Sequence, residues 1–192
     1  GTYTVTMTDI NGCTIDTTIT LVEPTLLSSS VTPFVYPGGF NVTGCSPDGS
    51  IDLTATGGSP VYNYLWTPGG STTEDISTLP AGTYSVTVTD INGCTTTSAV
   101  TLVAPNGLTQ AITSPTFPSG TNISCFGFND GSIDLTIGGG TPGYTYSWTG
   151  PNGYTSTVED PTNLIAGTYN VTATDINGCT IDTTITLIEP TP

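Results

Sequence analysis

The sequence contains no lysine, arginine or histidine, and this absence excludes several kinds of function. Among 192 residues there are 15 acidic side chains, so the formal net charge is -15. Nucleic acids and anionic membrane surfaces are bound through lysine and arginine, so we expect neither partner. Most catalytic and metal sites use histidine or lysine, so we do not expect an enzyme. No ion pair between side chains can form.

Long hydrophobic runs are also missing. No apolar stretch approaches the roughly 20 residues that cross a bilayer, so we expect no insertion into a membrane. The chain does not open with a charged segment followed by an apolar one, so any export signal is expected outside it.

The residues that are present favour β-structure. Threonine occurs 43 times, beside 24 glycines and 15 prolines, and there are nine tyrosines, five phenylalanines and two tryptophans. Threonine, tyrosine and valine favour strands, whereas glycine and proline mark turns. So many aromatic side chains are not typical of a disordered acidic chain. The composition therefore predicts an all-β protein.

The sequence repeats itself about every 80 residues. One segment occurs at 2–25, 83–106 and 168–191, and its first and third copies differ at only three of 24 positions. A second segment, in which Asp-Gly-Ser follows a cysteine after two or four intervening residues, occurs twice, from Cys45 and from Cys125. Such self-similarity is the signature of a repeat array. We predict the end of one repeat at 1–24 and complete β-sandwich repeats at 25–106 and 107–192.

Alternation of apolar and polar residues assigns the faces of the strands. Ile51 and Leu53 point one way along their segment, as Tyr84, Val86 and Val88 do along theirs, and the residues between them point outward. The same alternation places a row of aromatic side chains on one face in each repeat. These side chains are predicted core residues: Tyr62, Tyr64, Trp66, Tyr144, Tyr146 and Trp148.

Turn signals complete the fold prediction. Asn92-Gly93 supplies the positive φ that a tight hairpin requires, and the same pair recurs at 11–12 and 177–178. Tyr84 follows a Pro-Ala-Gly corner, as in the tyrosine corner of immunoglobulin-like sandwiches, and Trp66 occupies the place of their buried tryptophan. We predict tandem immunoglobulin-like β-sandwich domains in a linear array.

The five cysteines predict disulfides and an oxidising, extracellular location. Pairing within each repeat joins Cys45 to Cys94 and Cys125 to Cys179, and leaves Cys13 to a partner outside the chain. The alternative joins Cys13 to Cys45 and Cys94 to Cys125. Spacing alone does not decide between them, and we favour pairing within the repeat. No Cys-x-x-Cys motif for zinc is present.

Several acidic residues are candidate calcium ligands. The carboxylates of the Asp-Gly-Ser-Ile-Asp motif and of the hairpin can offer oxygens to Ca²⁺; they belong to Asp48, Asp52, Asp90, Asp130 and Asp134. The competing interpretation is that Asp48 and Asp130 form turns and that Asp52 and Asp134 face solvent, and we expect no obligatory cofactor. The adjacent acidic pairs at 74–75 and 159–160 lie in turns with no sign of a cleft, so we predict no catalytic residues.

The combination of motifs resembles the SprB repeat family of giant Bacteroidota surface proteins. The resemblance rests on Cys, then DGSIDLT, GG-x-P-x-Y-x-Y-x-W, LPAGTYSVTVTDINGC and VTLVAP, and it covers 45–105, 125–190 and, as a repeat end, 1–24. It implies a stalk of an extracellular adhesin that is exported by type IX secretion, held on the outer membrane and active in gliding motility.

Bacteroidota also modify Asp-Thr or Asp-Ser motifs by O-glycosylation. Asp16-Thr17-Thr18 and Asp182-Thr183-Thr184 resemble this signal, which makes Thr17 and Thr183 candidate glycosylation sites. Against this, strand alternation places Thr17 on the apolar face with Ile15 and Ile19.

Two functions are compatible with the sequence. The first is a structural and adhesive stalk that contacts neighbouring repeats, like chains in a fibre, and polysaccharide or solid surfaces. The second is a carbohydrate-binding accessory array of a secreted polysaccharide-degrading enzyme, which would need exposed aromatic side chains. The exposure of the aromatic row at Tyr62, Tyr64 and Trp66 distinguishes them.

Overall fold

The chain folds almost entirely into antiparallel β-strands. The computed structural model describes all residues from 1 to 192. A single 3-10 turn, Pro151–Gly153, is the only helical element, so nothing in the chain has the length and apolar character of a membrane-crossing helix. The strands are β1 Thr2–Thr8, β2 Thr14–Thr20, β3 Ser28–Pro33, β4 Gly49–Thr56, β5 Asn63–Thr67, β6 Ile76–Leu79, β7 Gly82–Thr89, β8 Thr95–Leu102, β9 Thr109–Thr113, β10 Gly131–Ser132, β11 Asp134–Gly138, β12 Thr145–Thr149, β13 Thr155–Ser156, β14 Thr162–Leu164, β15 Gly167–Thr174 and β16 Thr180–Leu187.

Six sheets are formed, and each joins strands that are close in sequence. Their orders are β1-β2, β3-β4-β6, β5-β7-β8, β9-β11, β10-β14 and β13-β12-β15-β16. The hairpins β1-β2 and β15-β16 have equivalent registers, in which Thr2 opposes Thr20 and Thr168 opposes Thr186. The repeated sequence therefore gives a repeated strand pairing.

The chain divides into two compact units. The first comprises 1–30, 53–74 and 85–98, and the second comprises 31–52, 75–84 and 99–192. These units do not follow the sequence period, so the domains at 1–24, 25–106 and 107–192 stay a prediction.

The second unit contains a β-sandwich with a continuous apolar core. The sheet β13-β12-β15-β16 supplies one layer of this core, and strands β10, β11 and β14 supply the other. Alternation explains which side chains enter it, because successive residues of a strand point to opposite faces. The buried cluster is Ile123, Ile133, Leu135, Trp148, Leu164, Tyr169, Val171 and Leu187.

Polar atoms of the large core side chains all find partners in the second unit. Trp148 Nε1 donates to the carbonyl oxygen of Val158 at 2.8 Å. Tyr169 Oη donates to the carbonyl oxygen of Ile165 at 3.0 Å, and the ring of Tyr154 meets that of Tyr169 edge-on at 5.3 Å. This back-bonded tyrosine is the predicted tyrosine corner, and Tyr84 repeats it with a 3.0 Å bond to the carbonyl of Pro80.

In the first unit, strands β5 and β7 pair, and β5 carries the other tryptophan. Trp66 opposes Val86 in the register and is fully buried. Its Nε1 donates to the carbonyl oxygen of Thr73 at 3.0 Å. Val86 and Val88 are buried beside it, as alternation predicts.

The hairpin β1-β2 differs from its later copies in exposure. Its two strands pair only with each other, and every residue in them is exposed. The apolar side chains on one face are each more than half exposed: Tyr3, Val5, Met7, Ile15 and Ile19.

The predicted all-β class is confirmed, and the aromatic prediction is correct for the tryptophans. Trp66 and Trp148 are buried, whereas Tyr62 and Tyr144 are only half-buried. Both tyrosines lie near the ends of their strands, where the hydroxyls donate to the carbonyls of Gly57 and Gly139 at 2.6 Å. Their hydroxyls therefore stay near the surface.

Truncation of a core tryptophan tests this packing. Trp148→Ala should lower the free energy of unfolding by about 4 kcal/mol, because it leaves a large cavity and removes a hydrogen bond. Thr149→Val, at the exposed next position, is the control and should change it by no more than about 0.5 kcal/mol. Urea unfolding measures both, and equal effects would contradict the burial of Trp148.

Candidate functional site

A five-residue turn, Asp-Ile-Asn-Gly-Cys, occurs at 9–13, 90–94 and 175–179, and we call it the hairpin turn. In the third copy, Oδ1 of Asp175 accepts hydrogen bonds from the backbone N of Asn177 and of Cys179, both at 2.9 Å. The backbone N of Asp175 donates to the carbonyl oxygen of Cys179 at 2.9 Å. Gly178 has φ +86°, as the Asn-Gly pair predicts. The cysteine is thus held through both of its backbone groups.

The second carboxylate oxygen ties the hairpin turn to a neighbouring loop. Oδ2 of Asp175 accepts from the backbone N of Thr141 at 2.9 Å, and Asn177 Nδ2 donates to Oγ1 of Thr141 at 2.9 Å. Gly140 must be glycine here, because its φ is +59° and an added Cβ would lie 2.9 Å from Oδ2 of Asp175. Asp175 is 4% exposed, and its carboxylate oxygens accept hydrogen bonds from three backbone amides.

The second copy of the hairpin turn makes the same bonds. Oδ2 of Asp90 accepts from the backbone N of Ser59 at 2.9 Å, and Oδ1 accepts from Asn92 and Cys94 at 3.0 and 2.9 Å. The bond from Ser59 holds the pKa of Asp90 below its usual value, against the raising effect of desolvation, and the amides of Cys94 and Asn92 lower it further. Sequence reasoning missed this role, because it considered the same aspartate as a calcium ligand.

The other two cysteines lie in a different structure, which we call the entry turn, at 43–48 and 124–130. Oδ1 and Oδ2 of Asp48 accept from the backbone N and the hydroxyl of Thr43 at 3.0 and 2.5 Å. Asp130 accepts the same pair of bonds from Ser124. Each turn places its cysteine, Cys45 or Cys125, one or two residues after the donor, and both cysteines are exposed to solvent.

These bonds also set the acidity of the entry turns. Desolvation raises the pKa of Asp48, but bonds from the hydroxyl and amide of Thr43 and from the hydroxyl of Ser46 outweigh it, so the pKa lies below its usual value. The hydroxyl and amide of Ser124 lower the pKa of Asp130 in the same way.

One disulfide links an entry turn to a hairpin turn. Cys45 is bonded to Cys179, with 5.6 Å between their Cα atoms and 134 residues between them in sequence. Both residues belong to the second unit. Closing so long a loop contributes about 5 kcal/mol to stability on the chain-entropy model.

The structure corrects the predicted pairing. Cys45 bonds to Cys179 rather than to Cys94, and Cys125 is not bonded to Cys179; Cys13, Cys94 and Cys125 are free and exposed. A disulfide requires Cα atoms within about 7 Å, and which cysteines meet that condition depends on tertiary packing. Spacing within one repeat does not report that packing, so it selected the wrong partners.

The predicted calcium ligands do not form a common site. The structure contains no group of three or more acidic or cysteine side chains that is arranged to hold a metal ion. Asp48, Asp90 and Asp130 direct their oxygens to amides and hydroxyls of their own turns and adjoining loops. Asp52 and Asp134 point outward into solvent from strands β4 and β11.

The acidic pair at 159–160 has a structural role that the sequence did not reveal. Oδ1 of Asp160 accepts from the backbone N of Leu135 at 2.9 Å. Desolvation, together with a hydrogen bond to Glu159, raises the pKa of Tyr146 to about 12. The two carboxylates therefore contact residues of β11 and β12.

The candidate glycosylation sites differ in accessibility. Thr17 is exposed on β2 and Thr183 is half-buried on β16. Alternation placed Thr17 on an apolar face, and that face is open here, since every residue of β1 and β2 is exposed. Modification of either residue stays a prediction.

Comparison with known proteins identifies the repeats. A family model for the SprB repeat matches residues 44–71 and 119–153, each of which includes an entry-turn cysteine and a strand with a buried tryptophan. Both segments are similar to the SprB repeat, as the sequence led us to expect, and each contains the cysteine of an entry turn.

Among solved structures, the chain is distantly similar to Drosophila OTK, extracellular domains 3-5. The alignment covers 98% of this chain and 70% of that chain, with 13% identity and a TM-score of 0.34. No match to a curated protein was found.

The role of the aspartate in the hairpin turn can be tested by a matched pair of substitutions. Asp175→Asn replaces Oδ2 by an amide that cannot accept from Thr141, and should lower the free energy of unfolding by about 2 kcal/mol. Asp134→Asn makes the same change of charge at an exposed position and should have little effect. Urea unfolding of both variants measures the difference, and equal losses would show that Asp175 acts only through its charge.

The pH dependence of the same turn has a defined sign. Because the pKa of Asp90 is lower in the folded chain, the stability that its carboxylate contributes is complete above its unfolded pKa, near 4, and is lost as the pH falls through the folded value. Asp90→Asn resembles the protonated form. We therefore expect the gap between the urea midpoints of the unchanged chain and Asp90→Asn to be constant from pH 7 to 5 and to close below pH 4. A gap that persists at pH 2 would contradict this.

Proposed function

We propose that this chain is a structural and adhesive repeat region of a giant extracellular surface adhesin or filament. In this role it forms part of an acidic stalk that is held on the outer membrane and contacts surfaces or polysaccharide during adhesion and gliding motility. The observation that carries the proposal is the SprB repeat itself, found twice in a chain that is built of stacked strands and turns.

The disulfide supports an extracellular location. Bonds such as Cys45–Cys179 persist in oxidising compartments and are rare in the cytosol. A covalent link across 134 residues also suits a component that bears load, because it keeps the closed segment from being pulled apart.

The outward face of the recurring hairpin, formed by β1-β2, β7-β8 and β15-β16, offers a contact surface for neutral polysaccharide. Cross-strand threonine pairs bring their hydroxyls together at 3.0 Å between Thr2 and Thr20, 2.8 Å between Thr83 and Thr101, and 2.9 Å between Thr168 and Thr186. All these threonines are exposed. With a charge of -15 and no basic residue, the chain repels anionic polymers, so a neutral sugar polymer suits it better.

The competing function, a carbohydrate-binding accessory array, needs exposed aromatic rings. Trp66 and Trp148 are buried, and Tyr62 and Tyr64 are half-buried. No flat aromatic platform for stacking on sugars remains in this row. The adhesive stalk is therefore the better supported function, and we propose that the chain itself is not catalytic.

Fab fragments raised against the folded chain test the proposal on cells that produce it. They should label intact, unpermeabilised cells and reduce attachment of those cells to glass and to agarose. Fab fragments against an unrelated surface protein of the same cells are the control, because they add the same bulk without covering the repeats.

This experiment tests the surface location and the adhesive role independently of each other. Labelling only after permeabilisation would overturn the surface location. Surface labelling with attachment unchanged from the control would overturn the adhesive role and leave a purely structural one.

A further inference from the structure

The five cysteines fall into two structural classes. Cys45 and Cys125 belong to entry turns, and Cys13, Cys94 and Cys179 end hairpin turns. The one disulfide joins the entry turn of one sequence repeat to the hairpin turn of the repeat that follows it. The three free cysteines are the remaining members of the same two classes.

Each free cysteine is held as its bonded counterpart is. The backbone N of Cys94 donates to Oδ1 of Asp90 at 2.9 Å, and that of Cys13 donates to Asp9 at 2.8 Å, which matches the bond at Cys179. Before Cys125, the backbone N of Ser124 donates to Asp130 at 3.1 Å, which matches the bond from Thr43 to Asp48. Both halves of the linkage are therefore formed wherever the motif occurs.

What differs among these cysteines is burial. Cys179 is 7% exposed, whereas Cys94 and Cys13, in the same turn, are open to solvent. In the bonded copy, the sulfur of Cys179 lies 3.3 Å from the carbonyl oxygen of Thr43, which belongs to the entry turn of the preceding repeat. The adjoining entry turn thus accounts for the burial of the hairpin cysteine.

We propose that the Cys45–Cys179 bond is one instance of a repeating covalent staple between successive SprB repeats. In this arrangement, the entry-turn cysteine of each repeat bonds to the hairpin-turn cysteine of the next. Cys125 then bonds to the hairpin-turn cysteine of a repeat joined after its own. Cys94 and Cys13 each bond to the entry-turn cysteine of the repeat that precedes their own. The inference rests on the repeat organisation and does not depend on adhesion.

The chemistry of each staple is a thiol oxidation. Two cysteine thiols lose two protons and two electrons as the sulfur–sulfur bond forms. Glutathione disulfide, or a disulfide of the same class, takes up both through thiol–disulfide exchange and leaves as two molecules of glutathione. The exposed thiols of Cys94 and Cys125 are accessible to such an exchange.

A longer chain, to which one more repeat is joined in register, tests the proposed pairing between successive repeats. Glu189-Pro190-Thr191 repeats Glu23-Pro24-Thr25, so a second copy of 26–106 appended after residue 191 continues the repeat without interruption. The extended chain is folded in a glutathione redox buffer and its free thiols are alkylated. It is then digested with chymotrypsin and Glu-C, because trypsin has no site, and disulfide-linked peptides are identified by mass spectrometry.

We expect Cys125 to be linked to Cys94 of the appended copy, with Cys45–Cys179 retained. Cys125→Ser in the extended chain should abolish only the new bond, and Cys94→Ser in the first copy should leave both bonds intact. A free Cys125 beside an intact Cys45–Cys179 bond would overturn the rule.

The chain without the appended copy provides a second test, which does not depend on the folding of an added repeat. In the same buffer, Cys13, Cys94 and Cys125 should all be alkylated, at close to full occupancy. A bond between Cys94 and Cys125 within one chain would overturn the proposal, because it would pair each with a repeat that the rule forbids.

Discussion

The structure depends on the stabilisation of carboxylates without any cationic side chain. With 15 acidic residues and no lysine, arginine or histidine, each carboxylate that leaves the solvent must be satisfied by neutral donors. Asp175 and Asp90 meet this condition with three backbone amides each. No buried side-chain nitrogen or oxygen lacks a partner, so burial carries no uncompensated polar cost.

This constraint couples the charge pattern to the cysteine chemistry. The aspartate that organises a hairpin turn binds the backbone of the cysteine four residues later, and the aspartate of an entry turn binds a residue one or two positions before its cysteine. The acidic side chains thus position both sulfurs of the Cys45–Cys179 bond. Loss of such a carboxylate bond disturbs both local folding and the link between repeats.

Sequence alone gave the all-β class, the repeat, the hairpins at Asn-Gly and the two buried tryptophans, because each depends on local alternation or turn chemistry. It failed where the outcome depends on contacts between distant segments. Cys179 was assigned to the wrong partner, because spacing does not show which turns meet. Asp90 was considered as a calcium ligand, because its bond to Ser59 crosses 31 residues. Tyr62 was placed deeper than it lies, because alternation gives its face but not its depth.

The response of stability to salt tests the central claim most directly. If no cation offsets the carboxylates, the charges in the folded chain only repel, so screening should raise the free energy of unfolding as ionic strength increases to about 0.3 M. Urea unfolding in sodium chloride and in tetramethylammonium chloride should show the same rise, because screening does not depend on the cation. A fall in stability with either salt would contradict the account, since it would reveal attractive ion pairs that the sequence excludes.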